Sequence, residues 1–100
     1  MNSNCIAQAD DKDFFSLRKK MVLSENPDEM VLIAKKIMRK KCFTTDQIRN
    51  LSALFLTDAD RYQFLDAVYP FASDAYQYNK LIDLLKDDYY IQRFKAMIRK

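Results

Sequence analysis

The sequence predicts an all-α domain of six short helices, set out as three consecutive helical hairpins that form a compact bundle or a right-handed array. Three observations predict it. The 100 residues contain no glycine and two prolines, so the positive-φ turns on which β-hairpins rely have no residue suited to them. Apolar residues recur three and four positions apart, as in Ile48, Leu51, Leu54 and Phe55, and again in Tyr78, Leu81, Ile82 and Leu85; this is the period of a helix rather than a strand. Polar helix-start signals separate the apolar stripes.

The first helix, 12–23, opens at Asp10 or Asp11. The second, 27–41, has Asn26 as N-cap, Pro27 supplying the pre-set φ of the first helical position, and Glu29 closing a capping box. The third, 45–55, has Thr44 as N-cap with Gln47 three places on, and Phe43 and Ile48 at hydrophobic-staple positions. Thr57 with Asp60 opens 58–69, Asp74 with Gln77 opens 75–86, and Asp87 or Asp88 opens 88–99. A shift of 30 residues lays Thr44 on Asp74, Leu51 on Leu81 and Thr57 on Asp87, while a shift of 31 lays Leu17 on Ile48 and Ile33 on Phe64. Caps and buried stripes therefore repeat, which is the basis for reading three hairpins. Residues 1–11 form an N-terminal tail and 12–100 a single domain, since a chain of this length supports one modest core.

Composition excludes several functions. Hydrophobic residues at 49% and charged residues at 31% are those of a folded globular domain. The longest unbroken apolar run, Met30 to Ala34, is far short of the roughly 20 residues that cross a bilayer, so no membrane span is expected. Without glycine, neither a Walker-type phosphate loop nor a dinucleotide fingerprint is possible. Without histidine, the commonest general base and metal ligand are missing, and two cysteines do not complete a four-ligand zinc site. Ser24, Ser52 and Ser73 have no histidine to activate them, and Asp87 and Asp88 are explained by capping. No enzyme, cofactor or metal site is expected; a histidine-free enzyme would need a deep pocket around a carboxylate or lysine with a perturbed pKa.

Net charge is +3, with basic runs at Arg18–Lys20 and Lys35–Lys41. Both runs close predicted helices, and every acidic residue except Asp66 and Asp83 lies in or beside a predicted first turn. The helix macrodipole favours this distribution by about 0.3–1 kcal/mol per well-placed charge. A nucleic-acid partner is not expected, because stacking aromatics do not interleave the basic residues. Arg39, Lys40 and Lys41 are the best candidates for contact with an anionic polymer or membrane surface. The tyrosines all fall between Tyr62 and Tyr90. Tyr62, Tyr69 and Tyr78 fit buried stripes with hydroxyls at the rim, whereas Tyr76, Tyr89 and Tyr90 lie near helix starts and off or at the edge of the stripes, where they are candidate anchors for an unknown protein partner. Cys5 and Cys42 are either two buried thiols or one disulfide. A bridge would stabilise by roughly 4 kcal/mol in the chain-entropy account.

The segment CFTTDQIRNLSALFLTDADRYQFLDAVYPFASDAYQYNKLIDLL, with Phe14 before it, resembles a bacterial family known as domain of unknown function 4476, common in Bacteroidota. The residues that carry the resemblance are Phe14, Cys42, Thr45, Gln47, the Leu54–Phe55 pair, Arg61, Tyr69, Asp74 and Tyr78. It covers nearly the whole chain and implies a fold, with no activity to transfer. It also implies a secreted or envelope protein with an early cysteine, and hence a Cys5–Cys42 disulfide, since such bonds persist mainly in oxidising compartments. The chain departs from that expectation in having no signal-peptide apolar region in residues 1–23, so either the sequence begins at a trimmed start or this is a cytosolic member with both thiols reduced. The functional expectation is a non-catalytic all-α protein-interaction module.

Overall fold

The computed structural model describes residues 7–99. The elements are α1 (Asp11–Val22), α2 (Pro27–Met38), α3 (Thr45–Ser52), α4 (Asp58–Val68), η1 (Tyr69–Phe71), η2 (Ala75–Leu84) and α5 (Asp88–Ile98), with η1 and η2 being 3-10 helices. The all-α expectation is met, and the predicted starts are met closely. Asp10 and Asp13 form a reciprocal capping box, as do Thr44 and Gln47. Asn26, Thr57 and Asp87 each accept a first-turn backbone N–H. Glu29, expected to bond back to Asn26, instead accepts the Glu25 N–H at 3.1 Å.

Three expectations are corrected. The second and third helices end at Met38 and Ser52, short of 41 and 55. The stretch 75–86, read as α-helix, is a ten-residue 3-10 helix. Runs of that length are uncommon, and the sequence explains this one: Ala75, Tyr78, Leu81 and Leu84 share one edge at a period of three, while Gln77, Lys80 and Asp83 share another. In a helix of three residues per turn these rows eclipse cleanly, and Tyr78 and Leu81 are buried. Finally, Asp74 does not cap its own helix. Its carboxylate accepts the backbone N–H of Thr45 at 2.7 Å and the Thr45 hydroxyl at 2.8 Å, so it caps α3 from across the fold.

Among the described residues none has positive φ. Helices end on right-handed caps such as Leu23, Arg39 and Ala53, and the next helix begins from an extended N-cap. This is the route left to a chain without glycine for left-handed caps. Packing forms a closed ring in which α3 touches α4, α4 touches α5, α5 touches η2, and η2 returns to α3. The α1–α2 hairpin joins this ring through α2 against α4. The result is a flattened bundle of 34 × 33 × 17 Å. Phe43, Ile48, Phe64, Leu65, Tyr78, Leu81 and Phe94 are fully buried in its core, with Phe55 and Phe64 stacked at 4.9 Å and Tyr78 lying 6.0 Å from Phe94. Two isolated parallel bridges, Gln8 with Cys42 and Phe43 with Ala72, tie the tail and the α2–α3 connection to the ring.

Candidate functional site

A groove of about 640 Å3 lies between α1 and α2. On α1 and its cap the wall is Asp13, Ser16, Leu17, Lys20 and Leu23, and on α2 it is Ile33, Lys36 and Ile37, with Lys40, Lys41 and Phe43 beyond α2 closing one end. Both sets follow the three- and four-residue spacing that gathers side chains on one helix face. The hairpin is antiparallel, and a 2.9 Å ion pair from Lys41 to Asp13 sets the C-terminal end of α2 beside the start of α1. That pairing holds the Asp13 carboxyl below the usual aspartate range, chiefly through the Lys41 hydrogen bond, and raises the Lys41 ammonium for the same reason. Apolar side chains are left facing solvent in the groove: Leu23 is 73% exposed, and Ile33 and Ile37 are half-buried. A smaller hollow of about 300 Å3 lies at the α1–α2 and α3–α4 turns, where Glu25, Asp60, Met30, Leu54 and Leu56 meet.

Of the three candidate tyrosines, Tyr89 and Tyr90 are in ring contact. Tyr76 stands 83% exposed on η2, and among the described residues no ring contact joins it to the other two. Tyr89 and Tyr90 are edge to face at 4.9 Å, with Tyr89 largely exposed but Tyr90 half-buried against Tyr62. Arg93, one turn on, organises them: its guanidinium donates to the Tyr89 hydroxyl at 2.9 Å and lies 5.2 Å from the Tyr62 ring centre and 5.6 Å from that of Tyr89. These contacts, the Tyr89 hydrogen bond foremost, push the guanidinium pKa up further. Tyr78 departs most from expectation. Its hydroxyl is not at the rim but wholly buried, donating to the Leu65 carbonyl in the last turn of α4 at 2.6 Å. Burial, then the charges of Asp66 and Tyr69, pushes its pKa well above the ordinary tyrosine value.

Arg39, Lys40 and Lys41 are exposed at the end of α2, and only Lys40 and Lys41 line the groove. With Lys41 engaged by Asp13, the trio presents less available positive charge than its sequence suggests. Cys42 is buried and its backbone is bonded on both sides to the tail, its N–H to the Ala7 carbonyl and its carbonyl to the Ala9 N–H, each at 2.8 Å. Cys5 lies outside the described residues. Among the described residues, no group of three or more metal-ligating side chains gathers, and no helix is long and apolar enough to cross a membrane.

Each basic run, taken alone, reads as helix-end charge and does not report the groove. The signal lay in joining Lys20 and Leu23 to Ile33, Lys36, Ile37 and Lys40, two like-spaced faces that an antiparallel hairpin sets side by side. The family described as Domain of unknown function (DUF4476) matches residues 8–98, which includes both groove walls and the tyrosine–arginine cluster. The chain belongs to that family. The resemblance read from Phe14, Cys42, Thr45, Gln47, Arg61 and Asp74 is therefore sound, and several of those positions are structural keystones: Thr45 with Asp74, and Arg61, which donates to the Phe55 and Leu84 carbonyls. No curated protein and no solved structure matches the chain.

Proposed function

We propose that this DUF4476 domain is a non-catalytic protein-interaction module whose docking surface is the groove between α1 and α2. The observation that carries this reading is the uncovered apolar lining, with Leu23 73% exposed beside Ile33 and Ile37 in a hollow of the size that binding sites occupy. The groups with shifted pKa support the non-catalytic part. Asp13 and Lys41 satisfy each other, Asp58 accepts backbone N–H groups, Arg93 is held by tyrosines, and Tyr78 is sealed in the core.

A second reading places the contact on the late helices, where Tyr89 and Arg93 are held together as a pre-organised pair of the residue types that anchor interfaces. One experiment separates the two. Tagged wild-type chain, a Leu23→Gln/Lys36→Gln variant and a Tyr76→Ser/Tyr89→Ser variant are used for pull-down from the native organism. All four substituted side chains are exposed, so folding is retained. Loss of the wild-type partner with the first variant alone supports the groove; loss with the second alone transfers the function to the tyrosines. Binding to an anionic polymer through Arg39, Lys40 and Lys41 predicts retention on heparin that falls steeply with salt, and absence of retention removes it.

A Cys5–Cys42 disulfide and an exported location belong to the same reading. What supports the bridge is the pairing of Ala7 with Cys42, because two residues of chain span at most about 7 Å. Intact mass after alkylation without reductant decides it: two added alkyl groups on denatured protein mean no bridge, and none means a bridge.

A further inference from the structure

We propose that the occupant of the α1–α2 groove is an acidic amphipathic helix of a partner protein, an assignment that rests on the groove being the docking surface. Four lysines line it against a single aspartate, and that aspartate is already paired with Lys41. Lys20, Lys36 and Lys40 are left to face an occupant, so the complement is anionic along its edges and apolar beneath.

The placing of the lysines distinguishes an acidic helix from a single-headed amphiphile. The Asp13–Lys41 bond sets Lys40 near the start of α1, while Lys20 lies two turns further along α1, beside Leu23. Seven residues of helix advance about 10 Å, so positive charge stands at two end stations whose backbones are about 10 Å apart, with Lys36 on α2 between them and apolar side chains beneath. A fatty acid or lipid carries its charge at one end and would bring its alkyl chain up against the second station. A helix carrying carboxylates seven residues apart repeats the same distance and meets both stations, while its residues at intervening three- and four-residue steps lie on Leu23, Ile33 and Ile37. The groove is walled by about three turns of α1, from Asp13 to Leu23, which sets the length of helix it takes.

The test uses the full chain and an 18-residue peptide with capped ends, a leucine stripe at helical spacing, glutamates flanking it seven residues apart, and glutamine elsewhere. Affinity is read by fluorescence anisotropy, and location by backbone amide shifts. The expected result is binding with shifts centred on Leu23, Lys36 and Ile37, weakened about five- to tenfold when the flanking glutamates become glutamines, and by a similar factor in a Lys20→Gln/Lys40→Gln variant. Equal affinity of the glutamine peptide would overturn the acidic assignment, as would palmitate or anionic vesicles binding where the peptide does not. Sedimentation showing a dimer that Leu23→Gln dissociates would assign the groove to a second copy and overturn it too. If the peptide fails while Leu23→Gln/Lys36→Gln still loses the native partner, the groove reading stands and the acidic helix alone falls. If the peptide fails and that variant keeps the partner, both fall.

Discussion

Replacing Tyr78 by phenylalanine removes one oxygen from a fully enclosed polar group of the fold. The ring remains between Tyr69, at 4.7 Å, and Phe94, at 6.0 Å, so packing is kept. What is lost is the 2.6 Å hydrogen bond to the Leu65 carbonyl, at a residue with no solvent exposure. A buried acceptor left without its donor costs about 1–3 kcal/mol, which for a domain of this size lowers Tm by several degrees. The pH dependence adds a second constraint. The buried phenol has its pKa raised, so its contribution is complete below the unfolded tyrosine value of about 10 and is lost as pH rises through the higher folded value. Above about pH 10 the wild type therefore loses stability relative to the phenylalanine variant at about 1.4 kcal/mol per pH unit. Urea denaturation from pH 7 to 12 should show the wild type ahead by about 1–3 kcal/mol at neutrality and the gap closing between about pH 11 and 12. Equal stability at pH 7, or a gap that stays constant to pH 12, would refute the assignment of the buried hydroxyl.

Asp58, the first residue of α4, accepts the backbone N–H groups of Lys86 and Asp87 at 2.7 and 2.6 Å and pairs with Arg61 at 3.2 Å, joining α4 to the approach to α5. Asp58→Asn should cost about 1–3 kcal/mol in urea denaturation. Because its carboxyl is held below the ordinary value, chiefly by the Asp87 N–H, its contribution is present above about pH 3.9 and is lost as pH falls through the lower folded value. The variant should thus show a shallower acid decline than the wild type. Asp74→Ala leaves the N–H and hydroxyl of Thr45, a residue only 3% exposed, without their acceptor, and should cost about 2–4 kcal/mol, more than the roughly 1 kcal/mol expected for an ordinary cap. Thermal melts of Asp74→Ala and Thr44→Ala side by side check the order; a smaller loss for Asp74→Ala would show that it acts only as a local turn residue.

Most of the fold is legible because local chemistry and tertiary packing agree in it. Asp10, Asn26, Thr44, Thr57 and Asp87 cap where their side-chain types and spacings place them, since capping is decided within four residues. Asp74 misled because its competing donor, Thr45, lies 29 residues away, and no local pattern reports that. The 3-10 geometry of 75–84 was written in its strict period of three but was masked by Ile82 and Leu85, which also satisfy a period of 3.6. Of the candidate surfaces, exposure of Tyr76 and Tyr89 was readable from their positions off the stripes, whereas burial of the Tyr78 hydroxyl depended on the end of α4 arriving beside it. The groove depends on the register of two helices, which only the assembled hairpin sets.

The α1–α2 hairpin is attached to the ring chiefly through α2 against α4, and α1 packs mainly on α2. Hydrogen exchange is therefore expected to reach α1 before α4 and α5. The strap from Ala7 to Ala9 is bonded to Cys42 a few residues after α2, so loosening it is expected to raise amide exchange in the α1–α2 hairpin first.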